Sequence, residues 1–185
     1  MKKFFIVSVV IFALCLLSDT GHGAEVQYVA SKNGLNLREK KSTKSEILIV
    51  IPFSEEIEIL KTKKKWCKVS YGDLTGYVQK KYLSEDNPLD EYEYLGNWHI
   101  TAYAYTGSPC ANGNYPTVGY TIACNSLDFG TEVYIKGIGF RTVEDRGPSW
   151  LGSDWLDMYL GDYNTCVQFG SQYHDVYLVK GNGDG

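Results

Sequence analysis

The chain has 185 residues, 44% hydrophobic and 22% charged, with a formal net charge of −4. That suits one medium or two small globular domains and excludes extensive disorder. The charge is uneven: residues 25–88 carry 12 Lys/Arg against 9 Asp/Glu, whereas 89–185 carry 4 against 12, so two modules with different tasks are expected.

Met1-Lys2-Lys3, the apolar run Phe4 to Leu17 and the exit Ser18 to Ala24 have the layout of a secretory signal cleaved near Gly23 or Ala24. A retained anchor is the competing reading, but about 14 apolar residues fall short of the ~20 needed to span a bilayer. Cys15 lies inside the run without a small residue before it, which argues against a lipid anchor. Residues 1–24 are therefore expected to be removed, leaving a secreted, extracellular chain with no stable membrane insertion. Export permits disulfides, and Cys67, Cys110, Cys124 and Cys166 allow three full pairings. Cys110 and Cys124 share one loop-rich stretch and are the first candidates to pair. With no Cys-x-x-Cys and no close His, the spacings do not form a zinc pattern.

From Tyr28 to Leu83 short apolar runs alternate with turn formers: Leu35-Asn36-Leu37, Ile47 to Ile51, Ile57 to Leu60, Trp66 to Val69 and Gly76-Tyr77-Val78. Runs so short, closely spaced and rich in β-branched residues predict a small all-β barrel. Gly34 to Glu39, Ser42 to Ser45, Trp66 to Tyr71, Gly76-Tyr77-Val78 and Tyr82-Leu83 resemble the bacterial SH3 domain of cell-wall enzymes. That resemblance implies a cell-wall-binding module over 25–84. Trp66, Tyr71 and Tyr77 are aromatics able to stack on a ligand, or else barrel core and rim. The lysines around Lys61 to Lys65 suit an anionic polymer such as wall material, or else form an ordinary solvated face.

Ser84 to Glu91 is polar and acidic with a proline, the composition of a linker, and the linker is placed at 85–96. A second β pattern starts at Asn97, with Ile100, Ala102 and Ala104 on one face and Thr101, Tyr103 and Tyr105 on the other. After a loop at 106–117, strands are predicted at Val118–Ala123, Thr131–Lys136, Phe140–Asp145, Trp155–Leu160 and Val176–Lys180. One short helix is predicted, Asp162 to Phe169, with Asp162 as N-cap and Gly170 as its stop. Six strands and one helix in about 85 residues predict a compact β-barrel. P-loop, dinucleotide fingerprint and basic nucleic-acid stripe are all missing, so no nucleic-acid partner is expected.

The chemistry centres on Thr142 to Pro148 and Trp155 to Leu160. Alternation puts Trp155, Asp157 and Tyr159 on one face and Leu156, Met158 and Leu160 on the other, while Asp145 lies opposite Glu144. The short loop between the two strands suggests that they lie side by side with Asp145 and Asp157 in reach of each other. Two close carboxylates cannot both ionise easily, and a protonated carboxyl is what glycosidic cleavage needs. The alternative is that both cap strand ends or pair with Arg141 and Arg146.

Thr101-Ala102-Tyr103, Gly119 to Asn125, Phe129 to Ile135, Val143 to Gly147, Leu156 to Tyr159 and Val176 to Val179 resemble the three-aspartate (3D) domain, which spans 97–181 here. The family shares the double-psi β-barrel of membrane-bound lytic transglycosylase A, the stationary-phase survival proteins and expansin-like folds. An all-β protein is therefore expected, an SH3-like small β-barrel followed by a six-stranded double-psi β-barrel with one short helix. By resemblance Asp157 is the catalytic acid/base and Asp145 its partner, acting on peptidoglycan glycan strands without metal or other cofactor. Thr101, Tyr103 and Asn125 would hold the saccharide. Asn125 stands where the family's first aspartate belongs, with Asp128 three residues on as a substitute. The implied reaction is non-hydrolytic cleavage between N-acetylmuramic acid and N-acetylglucosamine to a 1,6-anhydro product. Two other readings are a non-catalytic, expansin-like polysaccharide binder and a cysteine peptidase of stem peptides, using Cys110 or Cys124 with His99 or His174.

Overall fold

The computed structural model describes residues 25–179. The expected signal segment lies outside them, as does Lys180. Among the described residues no helix is long and apolar enough to cross a membrane.

The first domain contains β1 (Glu25–Val29), β2 (Leu35–Arg38), β3 (Ile47–Ile51), β4 (Glu56–Lys63), β5 (Trp66–Tyr71), β6 (Leu74–Gln79) and β7 (Leu83–Ser84). They form one sheet in the order β3-β2-β6-β5-β4-β1-β7. Alternation works as expected: Ile57 and Ile59 of β4 and Cys67 and Val69 of β5 turn inward, joining Val29, Leu35, Leu37, Ile51 and Val78 in one core. The expected SH3-like small β-barrel is corrected here, because the sheet is not closed into a barrel. One end is β7, only two residues long, and the other is β3, which keeps Ile47 to Val50 exposed. Next to that edge, β2 joins β6 through the single register pair Arg38↔Tyr77. The sheet curls over its core, but its terminal strands offer no matching ladder that could close it. Gly76 permits the β2–β6 crossing, since a Cβ there would lie 2.8 Å from the Arg38 carbonyl oxygen and 2.9 Å from the Leu37 side chain.

The second domain contains β8 (Glu93–Ala104), β9 (Thr121–Ala123), β10 (Glu132–Ile135), β11 (Gly139–Asp145), β12 (Trp155–Gly161), α1 (Tyr163–Phe169) and β13 (Gln172–Leu178). The six strands close into a barrel in the order β10-β11-β9-β12-β8-β13. The β11–β9 and β12–β8 joints are parallel and the others antiparallel. Ile100, Ile122, Val133, Ile135, Val143, Leu156 and Val176 are fully buried in its core. Asp162 caps α1 through an acceptor oxygen 2.9 Å from the Thr165 amide, and Gly170 ends the helix at φ 68°. The first strand begins at Glu93, inside the stretch read as linker, because Glu93 to Gly96 pair with β13. The last strand begins at Gln172 instead of Val176, because Gln172 to Asp175 continue the same ladder despite their polarity.

The two domains meet at Phe53, the residue after Pro52 at the end of β3. Its ring, 4% exposed, stacks on Tyr92 at 5.9 Å and meets Tyr134 and Phe140 edge-on at 5.1 Å each. The Tyr134 hydroxyl donates to the Phe53 carbonyl at 3.1 Å, and Lys32 pairs with Glu132 at 2.6 Å. Burial pushes the Tyr134 phenol up to about 12, which keeps it a donor. Phe53→Ala is expected to cost about 3 kcal/mol in urea unfolding and to split a single transition into two, measured by tryptophan fluorescence.

Candidate functional site

Strand β9 organises the site. It lies between β11 and β12, and Ala123 is in register with Asp145 on one side and Asp157 on the other. The two aspartate strands are therefore not neighbours, which corrects the side-by-side expectation. Two strand spacings put their backbones about 10 Å apart. The carboxylates still share one face, because both flank the same residue of the intervening strand.

Asp157 is half-buried, and its carboxylate accepts from the Thr101 hydroxyl at 2.7 Å. Thr101 is its register partner on the parallel strand β8, and the Thr101 oxygen in turn accepts from the Trp155 indole N–H at 2.9 Å. Burial raises the Asp157 carboxyl above its ordinary value; the Thr101 bond opposes this and the Asp145 charge adds to it. Desolvation therefore outweighs the like-charge repulsion that spacing suggested. Among the described residues neither aspartate forms an ion pair, so pairing with Arg141 or Arg146 does not occur.

Asp145 sits just past a bulge at which Glu144 is the extra residue between Val143 and Asp145. Its carboxylate accepts from the Tyr103 hydroxyl at 3.0 Å and from the amides of Ala111 and Arg146 at 2.9 and 2.8 Å. Burial, then the Asp145 charge, pushes the Tyr103 phenol well up, so it stays a donor. The bulge interrupts the alternation and leaves Glu144 packed under the 106–117 loop, on the side of Thr121. There it is buried and accepts from Thr121 at 2.6 Å and Asn114 at 3.2 Å, tying down the 106–117 loop that supplies the Ala111 amide. Glu144 was visible in the sequence only as the off-face neighbour of Asp145. No periodicity marks a loop-anchoring carboxylate.

Thr101 and Tyr103 thus each hold one aspartate. Asn125 does something else. Its amide donates to the Pro148 and Leu151 carbonyls at 3.0 and 3.4 Å and accepts from the Gly147 amide at 3.0 Å, so it pins the loop between β11 and β12. That loop is tight, since a Cβ on Gly147 would lie 2.5 Å from the Leu151 side chain. Arg146 donates to the Cys124 carbonyl at 2.7 Å and lies over the Phe129 ring. Asp128 is exposed, and among the described residues no hydrogen bond or ion pair brings its carboxylate to the site.

The face beside Asp157 is aromatic. Trp155 meets Trp150 at 5.5 Å and His99 at 4.1 Å, and His99 stacks on Tyr173. Trp150 and Tyr173 are 69% and 67% exposed, so the row is open to solvent. A separate cleft of about 520 Å³ lies between the domains, lined by Phe53, Tyr120, Phe140 and Arg141, and contains neither aspartate.

The four cysteines among the described residues are free thiols, so the Cys110–Cys124 pairing is not formed there. Among the described residues no cysteine is hydrogen-bonded to a histidine: Cys124 contacts Ser126, His99 contacts Ser171, and His174 contacts Lys136 and Gln172. Burial, with Asp145 and Glu144 adding to it, pushes the Cys110 thiol up, the wrong direction for a nucleophile. Among the described residues no group of three or more His, Cys, Asp or Glu side chains is placed to hold a metal.

Residues 33–84 match the bacterial SH3 domain family. The first domain is a bacterial SH3-type domain, and a closed six-stranded barrel follows it. No curated protein matches the chain.

Asn125→Asp is expected to loosen the 147–154 loop, because a carboxylate cannot donate to Pro148 and Leu151. The expected loss is about 1 kcal/mol for each broken bond, read by urea denaturation.

Proposed function

We propose that the protein is exported and cleaves peptidoglycan glycan strands as a lytic transglycosylase, with an SH3-type module over 25–84 and a catalytic barrel over 97–181. The observation that carries this reading is Asp157: a half-buried carboxyl with a raised pKa, held by Thr101, lacking an ion-pair partner and set beside an open aromatic face. A carboxyl that keeps its proton nearer neutrality is suited to general acid work, and exposed aromatics suit the apolar faces of sugar rings. A barrel with two parallel joints is also consistent with the double-psi architecture of the 3D resemblance.

In this mechanism Asp157 donates its proton to the bridging oxygen as the bond from N-acetylmuramic acid breaks. The Asp157 carboxylate then takes the proton from the muramyl C6 hydroxyl, whose oxygen closes on C1 to give the 1,6-anhydro ring. One carboxyl serves both steps, and the proton count balances without added water. Asp145, fixed by Tyr103, Ala111 and Arg146, contributes a negative charge that favours the protonated form of Asp157. Thr101 orients the acid, and Tyr103 acts through Asp145. Asn125 serves the site by holding the loop that joins the two aspartate strands.

A binding-only role is the second reading, favoured by the absence of a carboxylate at Asn125 and by the exposed Trp150 to Tyr173 row. Intact peptidoglycan incubated with the protein should release anhydromuropeptides by mass spectrometry. Asp157→Asn should abolish their release while retaining glycan binding. Wild type that binds but releases none would leave the binder.

Activity should fall as pH rises through the raised pKa of Asp157, since the acid must start protonated. For stability, the unfolded chain loses this proton at lower pH than the folded one. Ionised Asp157 therefore destabilises the fold progressively above the ordinary carboxylate range, and fully above its raised folded value. Asp157→Asn, which can still accept from Thr101, should consequently melt higher than wild type at neutral pH in calorimetry.

A further inference from the structure

Lysines from three separate segments of the SH3-type domain converge around Trp66. Lys63, Lys64 and Lys65 form the end of β4 and the two-residue turn into β5, since Lys63 is in register with Trp66. Lys80 and Lys81 follow β6, and the Lys80 amide donates to the Lys65 carbonyl at 3.0 Å, fastening the two segments together. Lys41 arrives from the β2–β3 loop, its ammonium 5.0 Å from the Tyr77 ring centre. Two adjoining hollows of about 650 Å³ share Lys64, Lys65 and half-buried Trp66, and no acidic residue lines either. Among the described residues none of these lysines is in an ion pair.

The turn carries a second signal. Lys64 adopts φ 49°, a conformation that glycine or asparagine would take at less cost. A long cation occupies a position where backbone energetics favour a different residue. Like-charged ammonium groups gathered from three segments repel one another, and that repulsion is relieved by an anionic partner.

We propose that this concavity is the docking site for a phosphodiester-linked polymer of the bacterial surface, a flexible chain with one negative charge per repeat. Lysine ammoniums are rotatable point donors that follow phosphate oxygens without fixed geometry, while Trp66 offers an apolar floor to the carbon backbone between charges. The secretory layout of residues 1–24 puts the partner outside the cytoplasm, which favours such a polymer over nucleic acid. Docking of this kind holds the barrel at the wall and is independent of glycan cleavage.

The test is retention of the chain beginning at Glu25 on isolated bacterial walls, before and after hydrofluoric acid extraction, which strips phosphodiester polymers. Wild type should bind intact walls with steep salt dependence and lose about tenfold or more of that binding on stripped walls. Lys63→Glu/Lys65→Glu/Lys81→Glu should show the same loss on intact walls. Lys64→Gly relieves the left-handed backbone and should fold at least as stably as wild type, yet bind more weakly. Asp157→Asn should be retained like wild type, separating docking from catalysis. Equal wild-type retention on stripped walls, full retention of the triple variant, or tighter binding to duplex DNA than to walls would each overturn the proposal.

Discussion

Everything at the candidate site depends on where β9 lies. It is paired on both sides, all three residues parallel to β11 and Ile122 and Ala123 antiparallel to β12, so Ala123 faces Asp145 across one ladder and Asp157 across the other. A small residue at that position leaves room above the sheet for the two carboxylates to share a face. Parallel pairing of β8 with β12 then sets Thr101 beside Asp157, so that hydrogen bond follows from register, while the longer Tyr103, two residues on along the same face, reaches Asp145 across the intervening strands. The bulge at Glu144 completes the arrangement by bringing Asp145 into register with Ala123 while Glu144 holds Thr121 and the 106–117 loop.

The first domain is tied to this barrel by chemistry of a different kind. Phe53 enters an aromatic cluster of the barrel, and its own carbonyl takes the Tyr134 hydroxyl, so one residue supplies both apolar burial and a polar tie. An open sheet tolerates this arrangement well. Its edge strand β3 is not consumed by closure, and the chain leaving it is free to project Phe53 outward. The lysine concavity lies at the β4–β5 turn and after β6 and shares no lining residue with the cleft at that joint.

Much of the fold was legible because period-two alternation reports burial directly. Leu156 and Met158 against Asp157, or Ile57 and Ile59 against Glu58, need no tertiary information. The helix was legible for a similar local reason, an Asp162 cap and a Gly170 stop. The misjudged features are non-local. Closure of the first sheet depends on whether its two terminal strands meet, and nothing in Ile47 to Ile51 or Leu83-Ser84 encodes that. The loop-holding bonds of Asn125 were not legible for the same reason, because its position was visible and its three hydrogen-bond partners, all distant backbone groups, were not.

By itself the sequence determined the two-module charge asymmetry, the strand faces and the capped helix, since each rests on residue type and short-range period. Tertiary structure alone decided that β9 separates those aspartates, that desolvation and not mutual repulsion dominates the Asp157 shift, and that scattered lysines form one concavity. Strand order, burial of a particular carboxyl and convergence of distant segments are set by long-range pairing. A one-dimensional pattern specifies which way a side chain points, but not what stands beside it.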